Sequence, residues 1–161
     1  MDPLQKILIP IDLSVRSQPV LELAAELCRK HEAAATLLHV WDPLQVSTPH
    51  NEQLFNPRAT VRDLSQLTLE LETARQTLLA RGVSSVDISL EHGRADREIL
   101  AFARHGHYDL IIMGTHGRTG LSHVLIGSVA ERIVRRAPCP VMTVRVHGGR
   151  PEAPESMNPP P

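Results

Sequence analysis

Residues 109–128 read DLIIMGTHGRTGLSHVLIGS, and this stretch restricts the fold more than any other. It begins as an unbroken apolar run, Leu110-Ile111-Ile112-Met113. A half-exposed strand alternates apolar with polar residues. A run apolar at every position belongs to a strand buried on both faces, as in parallel sheets covered by helices on each side. The run then breaks into glycines at Gly114, Gly117 and Gly120, and a fourth, Gly127, stands directly before Ser128 and a new apolar-periodic segment. Strand, glycine-rich loop and helix start together suit phosphate. Glycine lets backbone N–H groups approach oxygens closely, and a helix N-terminus offers unpaired donors and partial positive charge.

The rest of the chain supplies a sheet and its cover. Apolar runs at 6–11, 35–41, 86–90 and 141–146 join 110–113 as five strand candidates. Pro10, with no N–H to give to a ladder, is expected where pairing ends, which puts Asp12 at the carboxyl end of the first strand. Ser17 is an N-cap candidate ahead of Pro19, and Val20, Leu21, Ala24, Leu27 and Cys28 recur at helical spacing. Leu64, Leu67, Leu71, Ala74 and Leu78 mark a second helix over 60–81, stopped by Gly82. A third over 95–105 turns Ile99, Leu100, Phe102 and Ala103 inward, and a fourth to about Arg136 turns Val129, Ala130, Ile133, Val134 and Ala137 inward. Strands alternating with helices predict an α/β, doubly wound parallel sheet with helices on both faces. The connection from Pro43 to Pro57 is long and aperiodic, which suits a lid or mobile segment. The tail from 147 to 161, rich in proline and glycine, is too polar to order itself, leaving 1–146 as one domain.

Composition removes several function classes. With 161 residues the chain can bury a core without disulfides or metal, and at 2% aromatics that core must be aliphatic. A net charge of -1, with arginines dispersed, argues against nucleic acid as the main partner. Cys28 and Cys139 show neither CxxC nor Cys/His metal spacing and read as reduced, buried small hydrophobes. No apolar run approaches the roughly 18 residues of a membrane span, and the start lacks a signal peptide, so a cytoplasmic location is expected.

Familiar catalytic signatures are absent from the sequence. There is no GxGxxG after the first strand, no lysine in the position a P-loop requires, no GxSxG and no HExxH. The histidines, including His105, His107 and His123, match no common zinc spacing. What remains is G-x2-G-x9-G-S, formed by Gly114, Gly117, Gly127 and Ser128, followed by VAERIVRRAPCPVMTV and matched upstream by Pro10-Ile11-Asp12 with Ser14. With these motifs, residues 5–146 resemble the universal stress proteins of the subgroup that binds ATP.

The resemblance implies a five-stranded sheet of order 3-2-1-4-5 with nucleotide between the first and fourth strands. A general rule for open α/β sheets independently selects that switch point. It also implies a nucleotide-binding role for Pro10, Ile11, Asp12, Ser14, Val40, Met113, Gly114, Gly117, Arg118, Gly127, Ser128 and Val129. Asp12 would accept from ribose hydroxyls or stand beside a Mg or Mn ion carried by the ATP phosphates, with no metal held by protein alone. The lesser alternative is a solvated turn aspartate that fixes its own backbone. The Val40 backbone would meet the adenine edge, Met113 would close the pocket, and Ser128 would reach phosphate. Ser128 and Glu131 also read as a capping box, which competes for the same donors. Arg118, and less so His116, could add positive charge from inside the loop.

The expected function is an ATP-binding stress-response protein in which occupancy is a switch or a structural support. A slow ATPase or phosphotransferase using the same pocket is the alternative. An interaction module with a vestigial pocket is a third reading, against which the intact glycine spacing argues. The last strand, 141–146, ends the fold at a sheet edge whose backbone groups need a partner. Similar proteins pair this strand with its copy, so a homodimer is expected.

Overall fold

A computed structural model describes residues 3–41, 57–115 and 126–145, with backbone alone for 57–63. The elements run β1 (Lys6–Pro10), α1 (Gln18–His31), β2 (Ala34–Trp41), α2 (Pro57–Ala80), β3 (Val86–His92), α3 (Ala95–Gly106), β4 (Leu110–Gly114), α4 (Ser128–Arg136) and β5 (Val141–Val144). A single 3-10 turn, Val15–Ser17, precedes α1. Residues 43–56 of the long connection, Val146 and the tail lie outside the described residues, as do His116, Gly117, Arg118, Gly120 and His123.

All five strands are parallel in the order β3-β2-β1-β4-β5, as expected. Strand side chains alternate between two faces, and the apolar runs fill both. Ile7, Ile9, Leu37 and Ile112 join Ala24, Leu71 and Leu78 of α1 and α2 in one cluster. Leu8, Leu38, Ile111 and Met113 join Ile99, Leu100, Ala130 and Ile133 of α3 and α4 in the other. The helical spacing therefore identified the buried face of each helix, with exceptions. Leu27 is only partly buried while Ala25 is buried, and Val134 is 49% exposed.

Several boundaries differ from the sequence reading. Strand β5 ends at Val144, short of the expected 146, whereas α1 begins at Gln18 with Ser17 at its N-cap and Pro19 in its first turn, as expected. Strand β3 continues past Leu90 to His92, extending its pairing with β2 to Trp41↔His92. Gly82 stops α2 as expected, in the left-handed region at φ 88, with its N–H on the Leu79 carbonyl at 2.9 Å.

Pro10 explains the central feature of the sheet. The Ile11 N–H donates to the Leu38 carbonyl at 2.9 Å, so odd-numbered residues of β1 direct their backbone groups at β2. Alternation aims the nitrogen of Pro10 at β4. That nitrogen carries no hydrogen, and the β1–β4 ladder ends at Leu8↔Ile111 while β1–β2 pairing continues through Pro10↔Leu38. Pro10 thus ends pairing with β4 and leaves pairing with β2 intact.

Candidate functional site

Beyond Leu8↔Ile111 the two central strands part, β1 staying with β2 and β4 staying with β5 as far as Gly114↔Val144. The gap opens at the carboxyl ends of the strands, where the order of strand addition reverses, β2 and β3 lying to one side of β1 and β4 and β5 to the other. Its two lips are the exit of β1 and the junction between β4 and α4.

The β1 lip is a tightly bonded turn. Asp12 Oδ1 accepts from the Ser14 N–H at 3.0 Å, the Ser14 hydroxyl at 2.8 Å and the Ser17 hydroxyl at 2.9 Å. Leu13, between them, adopts a left-handed conformation at φ 58, a strained state for a branched side chain. Ser14 then caps the 3-10 turn by accepting the Arg16 N–H. Ser17 does occupy the N-cap position of α1, but its hydroxyl makes no capping bond; it is spent on Asp12. The aspartate therefore fixes its own turn, the local reading of the sequence, at the point where β1 leaves the sheet.

Backbone direction brings Val40 to the same place. Leu38 turns its carbonyl to β1, so Val40, two residues on, presents its backbone groups to the β1 side, past the last ladder pair. The Val40 side chain, partly buried, packs against the cluster under α3 and α4 that also contains buried Met113. On the other wall, the N–H groups of Ile111 and Thr115 go to Pro140 and Val144 of the β5 side, which turns Gly114 toward β1.

The β4 lip is closed at its neck by one short bond. The Gly127 N–H donates to the Thr115 carbonyl at 2.6 Å, so the chain leaves β4 and enters α4 at one point. Gly127 is the N-cap of α4, with φ -73 and ψ 157, a backbone open to any residue. This corrects the capping-box expectation. Ser128 is the first helical residue and is exposed, no side chain caps the helix, and Glu131 turns away to pair with Arg135 at 3.0 Å. The first backbone bond of the helix runs from the Glu131 N–H to the Gly127 carbonyl, leaving the amides of Ser128, Val129 and Ala130 ahead of it. The competition for Ser128 is thereby removed.

Pro10, Ile11, Asp12, Ser14, Val40, Met113, Gly114 and Gly127 thus fall on the strand ends and turns around the gap, and Ser128 and Val129 on the first turn of α4. Gly117 and Arg118 belong to the undescribed part of the loop. Two contributors escaped the sequence reading. His39, buried in β2, bonds its Nδ1 to the Ile11 carbonyl at 2.8 Å, and Thr115 forms the neck just described. The signal for His39 was one imidazole inside the otherwise apolar ATLLHVW run.

A cavity of about 360 Å³ between α1 and α2 adjoins the β1 lip, sharing Ile11, Ser14 and Ser17 with it, and is lined by none of Asp12, Val40, Met113 or Gly127. Both cysteines are free; burial pushes the Cys28 thiol up to about 11. Cys139, expected buried, is half-buried, and its thiol is also raised, by burial and then by Asp109. Among the described residues no His, Cys, Asp or Glu cluster could hold a metal, and no helix is long and apolar enough to cross a membrane.

Set against known proteins, residues 3–145 match the universal stress protein family. The chain belongs to that family. A universal stress protein A homolog 2 of Coxiella burnetii is 32% identical over 154 residues, covering 92% of this chain and 99% of the relative. The solved structure of the hypothetical protein MJ0577 superimposes with a TM-score of 0.79 at 26% identity, covering 92% of this chain and all of that one. Two more distant family members have the same fold. One is a universal stress protein solved with cAMP, at TM-score 0.69 and 17% identity, covering 91% of this chain and 100% of that one. The other comes from Archaeoglobus fulgidus and was solved with dAMP, at 0.64 and 20%, covering 88% and 98%.

Proposed function

We propose that this universal stress protein binds ATP in the gap between β1 and β4, and that occupancy acts as a switch or structural support in a cytoplasmic stress response. The observation that carries the reading is the split of the two central strands beyond Leu8↔Ile111, with Asp12 on one lip and the start of α4 on the other. Apolar walls from Val40 and Met113, with backbone groups of Val40 and Gly114 turned inward, suit a purine. The first amides of α4 and the exposed Ser128 hydroxyl suit a polyphosphate. Family members solved with cAMP and dAMP support an adenine nucleotide as the ligand class. Pro10, Ile11 and Ser14 shape the β1 lip, Val129 contributes an amide, and Gly117 and Arg118 complete the phosphate loop in this reading. The described lip residues include no lysine, so a Mg or Mn ion carried by the phosphates is the fitting counter-charge.

In the same reading residues 1–146 form the nucleotide-binding domain, with 147–161 as its tail, and two copies pair along β5. Titration calorimetry with magnesium ATP tests the central point. Heat of binding together with a rise in Tm is expected, and neither effect at millimolar ATP would remove the proposal.

A further inference from the structure

Among the described residues four polar side chains are buried: Ser17, His39, Asp96 and Thr115. Burying such groups is unfavourable unless their bonds are satisfied, so their location carries information. Asp96 pairs with Arg94 at 3.1 Å and lies 3.8 Å from Arg132, linking α3 to α4. Two of the others bond within the β1 lip, the Ser17 hydroxyl to Asp12 and the His39 imidazole to the Ile11 carbonyl, while Thr115 lies at the neck, where its backbone carbonyl takes the Gly127 N–H.

His39 has a role that an aliphatic residue in β2 could not fill. A carbonyl only accepts, so Nδ1 carries the hydrogen in this bond. Ile11 is then held by consecutive residues of β2, its N–H by the Leu38 carbonyl at 2.9 Å and its carbonyl by His39 at 2.8 Å. A ladder extended by one further pair would join Ile11 to His39, with the Ile11 carbonyl accepting the Val40 N–H, and the strand pairing stops one pair short of it, at Pro10↔Leu38. The imidazole stands in for it, pairing the Ile11 carbonyl while the chain leaves the sheet and turns through strained Leu13. Asp12 is fixed on its far side by Ser14 and Ser17, and on its near side by this bond.

We infer that His39 is a positioning residue for the nucleotide, holding the Ile11 carbonyl so that Asp12 and the Val40 backbone face the ligand in fixed register. The inference rests on the ATP reading above. The test measures ATP affinity for wild type, His39→Leu, His39→Asn, Asp12→Ala and the His39→Leu/Asp12→Ala double variant. Asparagine places an N–H where Nδ1 stands. His39→Leu is expected to bind ATP about tenfold more weakly, the equivalent of one hydrogen bond, with His39→Asn within about threefold of wild type. Asp12→Ala should cost less in the leucine background than alone, because the two residues act as a unit. A merely structural histidine gives additive losses.

Wild type that fails to bind ATP removes the functional reading and this inference with it. Wild type that binds, with a folded His39→Leu of equal affinity or additive losses in the double variant, removes this inference alone. If His39→Leu does not fold, ¹⁵N NMR of wild-type imidazoles decides. A protonated His39 Nδ1 that shifts on ATP addition is expected, and a bare Nδ1 or an unmoved signal at saturation overturns the inference.

Discussion

At the scale of single residues, the site separates groups that hold the fold from groups that are left to meet a ligand. Asp12 belongs to the first kind as much as the second, since its Oδ1 takes three bonds and steadies a turn containing left-handed Leu13. Asp12→Ala should therefore lower both stability, by about 1–3 kcal/mol, and ATP affinity. Thermal melts beside calorimetry check this, and an unchanged Tm would show that the turn does not depend on the carboxylate. Ser128 is the contrasting case. As an exposed first-turn residue that caps nothing, it should tolerate Ser128→Ala within about 0.5 kcal/mol while ATP binds several-fold more weakly. A stability loss above that, in a urea melt, would mean the hydroxyl caps α4 after all. Sequence alone left Ser128 between cap and phosphate because S-x-x-E fits either. What decided was the chain's path through Gly127, which sets where the helix begins, and composition does not encode that path.

At the scale of elements, β1 and β4 are stapled at one end and split at the other. Asp109 Oδ2 accepts the Gln5 N–H at 2.8 Å and the Lys6 N–H at 2.9 Å, tying the entry of β4 to that of β1. The Lys6 and then the Gln5 amide hold the Asp109 carboxyl below its ordinary value. Folding thus favours the ionised form. The resulting stability is present above the unfolded pKa of about 3.9 and is lost as pH falls through the lower folded value. The urea midpoint of wild type should exceed that of Asp109→Ala at pH 7, and the difference should close below about pH 4; a difference independent of pH would contradict this. Strands, helix faces and their alternation were legible in sequence because the periods of 2 and 3.6 are local. The split was legible only in part. Pro10 announced an end to pairing, but which neighbour it would release depends on which way its nitrogen faces, a property of sheet order. His39 was hidden for a similar reason: its partner is 28 positions away, on another strand.

At the scale of the molecule, the proposed pairing of two copies rests on the β5 edge of the sheet. Val144 directs its carbonyl at Thr115, just past β4, so Thr143 turns its backbone groups outward along β5. Met142, within β5, is 39% exposed. Thr143→Pro removes an outward N–H without touching the β4 ladder, and should convert a dimer to a folded monomer in light scattering; a wild-type monomer at all concentrations would contradict the pairing. Alternation made the parallel, doubly wound class foreseeable and the family resemblance supplied the sheet order, whereas the loop residues Gly117 and Arg118 stay tied to the sequence argument alone. The central claim is that the gap between β1 and β4 receives ATP, and Gly127 tests it most directly because its extended backbone does not itself require glycine. Calorimetric ATP titration of wild type and Gly127→Val, with melts of both, should show binding by wild type and binding at least about tenfold weaker in the variant, at a stability cost within about 1 kcal/mol. Equal affinity in both proteins, or no binding by wild type, would contradict the account.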